Sequence, residues 1–349
     1  MPAQVIDLFC GVGGLTRGLI DSGLNVIAGF DIDPTCRYTY EHNNEVNYNI
    51  IDIRNLTGAE VTELYDDDAI KILVGCAPCQ PFSQMRFKMG KANVNDEKYN
   101  LLLEFGRLIQ EVHPTIISME NVPQIQETTI FEEFLNILGN NGYNIDYRVV
   151  YCPDYGIPQT RRRFVLVAST LGEIHLPAPT HNQDDIHIRD FIGNLPPIKA
   201  GEQDKNDPMH RSAALSDINL KRIKHSRPGG SWKDWPESLR CECHKKKSGQ
   251  TYSSVYGRMT WEQIGPTITT QFYNYGTGRY GHPEQDRALS LREGAILQTF
   301  PPDYEFIDPN SKFVFSDIAR HIGNAVPVRL GEVIGETILT HLIQNNMQL

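Results

Sequence analysis

Six short stretches hold the side chains best suited to chemistry. The segment Gly75-Cys76-Ala77-Pro78-Cys79-Gln80-Pro81-Phe82-Ser83 follows an apolar run and begins a Pro-rich loop. Its C-x-x-C pair admits zinc ligation, thioredoxin-type redox exchange or a cysteine nucleophile. Zinc needs a second set of ligands. Cys241, Cys243 and His244 are near one another but lack the usual ligand spacing, so no metal site is expected. A redox pair normally opens a helix, whereas Pro78 and Pro81 bracket Cys79 on a loop. A nucleophilic cysteine held beside a cofactor fits better.

The other five stretches supply partners for such a nucleophile. Asp7-Leu8-Phe9-Cys10-Gly11-Val12-Gly13-Gly14 runs from a strand into a helix. Its glycines let a ligand approach the backbone, and the helix N-terminus favours a negative group such as a carboxylate. Asp31-Ile32-Asp33 closes a second strand about 20 residues further on, where an acid can accept hydrogen bonds from ribose hydroxyls. Ile32 could then pack on an adenine face, and Asp52, in Ile51-Asp52-Ile53, could reach an adenine amino group. The competing role for Asp31 is to cap the helix that Pro34 starts. Glu120-Asn121-Val122 ends a further strand, and Gln159-Thr160-Arg161-Arg162-Arg163 begins one. Arg161 and Arg163 are two apart on that strand, so both can face one side, with Arg162 opposite.

These residues must be positioned by the elements around them. Strands are expected at Val5–Phe9, Val26–Phe30, Ile70–Val74, Thr115–Met119 and Phe164–Ala168, with another before Asp52. Helices are expected at Leu15–Ser22, at Cys36–His42, and where Leu101, Leu102, Phe105, Leu108, Ile109 and Val112 fall at helical spacing. Another is marked by Phe131, Phe134, Leu135 and Leu138 and ended by Gly139. Alternating strands and helices imply an α/β fold with a largely parallel sheet covered on both faces. Ligands in such folds sit at the carboxyl ends of the strands, where the reactive residues cluster.

After about Leu171 the chain becomes rich in Pro, Gly, Asp, Asn and His, which implies a second, irregular domain. Regular patterns return at Leu289–Leu297 and at Val328–Ile343, the latter fitting a helix that packs back on the first domain. Between Lys221 and Arg258, ten Lys/Arg face three acids, a net +7 in a chain of net −10, which leaves −17 elsewhere. A basic segment in an acidic protein is an electrostatic footprint for a polyanion. Trp232, Trp235, Tyr252 and Tyr256 lie within it, either to stack on bases or to form that domain's core.

The length of 349 residues suggests about two domains and a core that needs no covalent staples. No apolar run reaches the roughly 18 residues of a membrane span, and MPAQVIDLFC does not read as a leader. Seven scattered cysteines point to a reducing, cytoplasmic setting.

Phe9-Cys10-Gly11-Val12-Gly13-Gly14, Pro78-Cys79-Gln80, Glu120-Asn121-Val122, Gln159 to Arg163 and Gly323-Asn324-Ala325-Val326-Pro327 occur in that order. Together they closely resemble the bacterial DNA cytosine-5 methyltransferases. The likeness runs from residue 4 to about 335, apart from a variable stretch at about 172 to 265. It implies a Rossmann-like, S-adenosylmethionine-dependent large domain over residues 1–184 and 303–349. It also implies a smaller, irregular target recognition domain over 185–302.

The resemblance assigns roles that the residue types support. Cys79 adds as thiolate to C6 of cytosine, which makes C5 nucleophilic, and Glu120 binds N3 and the exocyclic amine. Arg161 and Arg163 contact the base O2 or orient the carboxylate, Arg163 mainly the base. S-adenosylmethionine is the methyl donor: Phe9, Gly11, Gly13 and Leu15 line its methionine end, and Asp31 its ribose. Ile32, Asp52 and Ile53 surround its adenine, and Pro78, Leu101, Asn324 and Val326 complete the pocket. The partner is double-stranded DNA with the target base flipped out, since C6 is inaccessible in a duplex. Gln80, Ser83, Lys245, Lys246, Lys247, Arg258 and Arg279 are the expected DNA contacts. Cognate restriction or phage-defence proteins are the further partners implied; a monomer suffices, working in the cytoplasm on the nucleoid.

Three rivals carry their own signatures. A tRNA-acting relative would show a Cys-Phe-Thr tripeptide, and none occurs. Amino-group methylation would show an Asp/Asn-Pro-Pro-Tyr/Phe loop in place of Pro78-Cys79-Gln80. An inactive DNA-binding paralogue would have lost Cys79, Glu120 or Arg163, and all three are present.

Overall fold

The computed structural model describes residues 2–78, 100–251 and 254–347. They divide into two compact units, the first comprising residues 1–155, 162–180 and 325–349, the second 156–161 and 181–324.

The first unit is built on a seven-stranded sheet of order β3-β2-β1-β4-β5-β7-β6. Its strands are β1 (Ala3–Leu8), β2 (Asn25–Asp31), β3 (Asn47–Ile50), β4 (Ile70–Gly75), β5 (Ile116–Asn121), β6 (Asn144–Tyr151) and β7 (Arg162–Ser169). β1 to β5 are parallel, and Leu8 at the end of β1 lies between Phe30 of β2 and Gly75 of β4. The strand order reverses at β1, which creates the crevice where doubly wound folds bind ligands. The sheet is largely parallel, as expected, with one exception. β7 runs antiparallel to both β5 and β6, so Glu120 faces Val165 across the ladder.

Helices α1 (Gly14–Asp21), α2 (Arg37–Asn44), α3 (Gly58–Thr62), α4 (Leu101–Val112) and α5 (Thr129–Asn140) connect the strands. The apolar stripe of α4 and the aromatics of α5 bury Phe105, Phe131 and Phe134 against Leu73, Met119 and Phe164. α1 meets the helix Val328–Gln344 backbone to backbone. A Cβ on Gly18 would lie 2.2 Å from the Val328 carbonyl oxygen, so only glycine allows the approach. That contact returns the late helix to the sheet, as its periodicity predicts.

β6 is absent from the sequence-based assignment. It is a half-buried edge strand whose Asn144, Asp146 and Arg148 interrupt the apolar pattern. The 3-10 turn Pro34–Cys36 and α2 together replace the single helix expected at Cys36–His42.

Among its described residues, the second unit has short helices and isolated bridges rather than a sheet of its own, in keeping with its Pro- and Gly-rich sequence. Trp232, Trp235, Ile223, Tyr275 and Ala288 form a core, so the tryptophans of the basic segment serve packing rather than base stacking. Trp235 donates to Ser226 Oγ at 2.7 Å, and that hydroxyl shares a 2.6 Å hydrogen bond with Tyr275. Leu291–Leu297 is a helix whose first turn is closed by a capping box between Ser290 and Glu293. Arg287 binds both carboxylate oxygens of Glu293 at 2.7 Å, with both side chains fully buried. Among the described residues no helix is long and apolar enough to cross a membrane.

Candidate active site

In the first unit, the carboxyl ends of five parallel strands present the predicted motifs at one edge. After β1 the chain turns sharply: Phe9 has φ 60°, Gly11 52° and Gly13 84°. Gly13 is the residue before α1 and, having no side chain, gives that helix no side-chain cap. A Cβ on Gly11 would meet nothing within 4 Å, so the loop opens onto free space there. A left-handed φ at Phe9, where a side chain is disfavoured, is strain of the kind stored at functional sites.

Asp31 ends β2 and latches this loop. Its Oδ2 accepts from Gly11 N at 2.9 Å and its Oδ1 from Asp33 N at 2.9 Å. Burial raises its carboxyl above the ordinary range against those hydrogen bonds. Capping of the Pro34 turn falls to Asp33, which accepts from Thr35 N at 3.0 Å. Asp31 is thereby left for the loop and for whatever the loop holds. Ile32 beside it is 62% exposed, an unusual setting for a large aliphatic side chain. Asp52 accepts from Arg54 N at 3.0 Å and binds the Arg54 guanidinium in a fork, which lowers its pKa. Ile53 is 7% exposed and packs into the core behind this edge.

Asp7 carries no signal in the sequence beyond its place in the strand. It is fully buried on β1, where Thr16 Oγ1 donates to its Oδ2 at 2.7 Å and its Oδ1 has no hydrogen-bond partner. Burial pushes its pKa up to about 7.

The reactive loop leaves β4 between β1 and β5. Cys76 N donates to Leu8 O at 3.2 Å, and Asn121 Nδ2 donates to Ala77 O at 3.1 Å. Asn121, from the Glu-Asn-Val tripeptide, therefore pins the backbone two residues before Cys79. Cys79, Gln80 and Ser83 themselves lie outside the described residues. Cys76 differs chemically from a nucleophile. Its surroundings bury the thiol and, with the charge of Glu120, push its pKa well above the usual thiol value, so it stays protonated at neutral pH. Pro78 and Leu101 are both half-buried, Leu101 as the first residue of α4.

Glu120 is buried at the end of β5, and Arg163 Nε approaches its Oε1 to 2.6 Å. The contact is a charge pair rather than an aligned hydrogen bond. Arg163 also donates to Arg162 O at 2.9 Å, and Arg162 stacks over Tyr151, 4.6 Å from the ring centre. Arg161 and Arg163 do not share one face of a strand as expected. β7 begins at Arg162, and Arg161 belongs to the second unit, where it is buried and donates to Ile268 O at 2.9 Å. Gln159 is equally buried there, donating to Leu297 O and to Gln298 Oε1 while accepting from Ile268 N. Val326 is buried in the first unit and Asn324 exposed in the second. Gly323 is obligatory because a Cβ would lie 2.4 Å from the Thr269–Thr270 backbone.

The expected DNA contacts separate into two kinds. Lys245, Lys246, Lys247 and Arg279 are exposed, with Lys245 paired to Glu242 at 2.7 Å. Arg258 is a correction. All five of its N–H donors are engaged, by the carbonyls of Ile223, Ser226, His282 and Gln285 and by Asp286. It is 6% exposed and acts as a hub of the second unit, with no donor left for a phosphate.

This arrangement offers a glycine-rich ligand loop, a buried carboxylate paired with an arginine, and an anchored loop carrying a cysteine. Comparison with known proteins identifies the combination. The family model for C-5 cytosine-specific DNA methylases matches residues 3–340. The Type II methylase M.HgiDII of Herpetosiphon aurantiacus is 52% identical over 97% of this chain and 95% of its own. M1.HphI of Haemophilus parahaemolyticus, a Type II methyltransferase, is 29% identical over 97% of this chain and 87% of its own. A solved structure described as a DNA modification methyltransferase encoded within an E. coli prophage superposes with a TM-score of 0.75. It is 22% identical and covers 98% of this chain and 99% of its own, a likeness of fold. With the family pattern running through almost the whole chain and a relative more than half identical, this chain belongs to the C-5 cytosine-specific DNA methylases and is a DNA cytosine-5 methyltransferase.

Proposed function

We propose that this enzyme methylates cytosine at one short DNA sequence, using S-adenosylmethionine and a transient covalent bond from Cys79. The observation that carries this reading is the Glu120–Arg163 pair, set beside a loop that Asn121 anchors two residues before Cys79. Glu120 pairs with N3 and the exocyclic amine of the base, and Arg163 holds its carboxylate in place. The Cys79 thiolate adds at C6, and the C5–C6 electron pair shifts toward C5. With the donor bound, C5 would take its methyl group as the methyl–sulfur bond breaks, and loss of the C5 proton with elimination of the thiolate would restore the C5–C6 double bond.

The donor's methionine end, ribose and adenine have fitting partners. Gly11 and Gly13 give the backbone space, Asp31 offers carboxylate lone pairs, and Ile32 offers an exposed apolar face. Phe9, Leu15, Asp52, Pro78, Leu101, Asn324 and Val326 complete the set of residues that would hold it. When bound, the donor supplies an electrophilic methyl group.

Residues 185–302 serve as the target recognition domain, with residues 1–184 and 303–349 as the catalytic domain. The exposed Lys245–Lys247 tract and Arg279 support contact with the DNA backbone. The likeness to Type II methylases supports a role in marking self DNA against a cognate nuclease, in the cytoplasm, with a monomer sufficient.

Base-resolution sequencing of DNA from cells expressing the protein tests the reading. Methylcytosine should appear at one recurrent short motif and vanish with Cys79→Ala, while the purified variant still binds S-adenosylmethionine. Normal methylation by Cys79→Ala would end the covalent mechanism. Unmarked DNA with methylated RNA would move the substrate to RNA.

A further inference from the structure

The methylation chemistry leaves Cys241, Cys243 and His244 without a task. Their spacing in sequence argues against a metal, because it lacks the separation of common zinc motifs. The fold supplies what the spacing does not. Cys241 precedes the helical turn Glu242–Lys245, and His244 N closes that turn on Cys241 O at 2.9 Å. One ligand atom from each of Cys241, Cys243 and His244 then lies within 4.8 Å of the other two. Around tetrahedral zinc such atoms sit about 3.6 to 3.8 Å apart, so a closure of about 1 Å completes the geometry.

The histidine carries a second, independent sign. It is 5% exposed, yet its buried Nδ1 has no hydrogen-bond partner. A buried nitrogen left unpaired is costly, and a metal bond would satisfy it. The ring is also held in one plane, as a ligand should be. Trp232 stacks on it at 4.2 Å, and Tyr256 meets it edge-on at 5.8 Å. Glu242 is drawn to Lys245, so a hard carboxylate does not compete for the position. Two thiolates and one imidazole form a soft donor set, which selects Zn2+ over Mg2+ or Ca2+.

We propose that Cys241, Cys243 and His244 bind one Zn2+, with water in the fourth position on the exposed side of Cys243. Each thiol releases one proton to solvent as its sulfur bonds the metal. The two thiolates cancel the charge of the ion, so the site is neutral overall. The ion clips the turn shut directly before Lys245-Lys246-Lys247 and so holds that tract in place.

The test uses the full chain, reduced and stripped of metal with a chelator, then titrated with Co2+ and afterwards with Zn2+. One equivalent of Co2+ should produce a thiolate-to-cobalt charge-transfer band and tetrahedral d–d bands, which Zn2+ abolishes. Cys241→Ser, Cys243→Ser and His244→Asn should each weaken binding at least about tenfold. Cys79→Ala should keep the bands. Their absence from the unaltered protein, their survival in Cys241→Ser/Cys243→Ser, or their loss in Cys79→Ala would each overturn the site. A second measurement needs no variant. Zn2+ should slow alkylation of Cys241 and Cys243 in the unaltered protein, read peptide by peptide, and equal rates with and without Zn2+ would reject the proposal.

Discussion

Arg163 reaches from the start of β7 to place its Nε 2.6 Å from Glu120 Oε1 at the end of β5. The antiparallel pairing of these two strands brings the arginine from one terminus to the acid at the other. A parallel β7 would have put its first residues at the opposite edge of the sheet.

The pair should matter more to the reacting base than to donor binding. Glu120→Gln and Arg163→Ala are each expected to lower kcat by about 100- to 1,000-fold, because they remove charge aimed at the base. The Kd for S-adenosylmethionine should stay within about threefold. Single-turnover methyl transfer and equilibrium donor binding separate the two effects. Loss of donor affinity with unchanged turnover would assign the pair to the cofactor.

Asn121 acts through the chain that leads to Cys79, by donating to Ala77 O at 3.1 Å. It is a positioning residue. Asn121→Ala should cut kcat by up to about 100-fold through misplacement on the order of 1 Å. Donor affinity should be spared, and Asn121→Asp should fail to rescue because it lacks the amide donor. Rescue by Asp would show that the hydrogen bond to Ala77 is not what matters.

The second unit rests on a buried ion pair whose loss should be costly. Glu293→Gln or Arg287→Met leaves one charge unpaired and should destabilise the unit by about 3–5 kcal/mol. All three tryptophans lie in this unit, so their fluorescence in a urea titration reads its unfolding selectively. An unchanged midpoint would show that the pair contributes nothing net.

The same unit should be acid-labile in two steps. Burial lowers the imidazole of His282 to about 4, and its Nδ1 accepts from Glu284 N and Gln285 N. From about pH 6.5 down to 4 the unfolded chain binds a proton at His282 that the folded chain refuses, so stability falls with pH. Burial alone would raise the Glu293 carboxyl, but Arg287 outweighs it and brings it down to about 2. The unfolded acid protonates near 4.5, so a second loss follows between about 4.5 and 2. His282→Asn should flatten the first step and leave the second, as read by the urea midpoint against pH.

Lys245, Lys246 and Lys247 are exposed and follow one another. Replacing all three with Gln should reduce the magnitude of the salt slope of DNA binding by up to about 3, at roughly one phosphate per lysine. Arg258→Gln should instead lower the thermal stability of the second unit, since that side chain bonds inward. A slope unchanged by the lysine replacements would remove the tract from the DNA surface.

The sequence by itself determined the local features: the glycine loop after β1, the acids at strand ends, the proline-flanked cysteine and the apolar periodicity of α4 and of Val328–Gln344. Each follows from turn chemistry or side-chain period within a few residues, so no distant partner was needed to read it. The tertiary structure alone decided what each charged side chain meets. Asp31 and Asp33 are near twins in sequence, yet one latches Gly11 and the other caps the Pro34 turn. Arg161 and Arg163 are two apart, yet one bonds Ile268 and the other Glu120. Arg258 lies at the end of a basic stretch but bonds inward. Long-range strand order and loop packing set these contacts, and neither is written in local residue spacing.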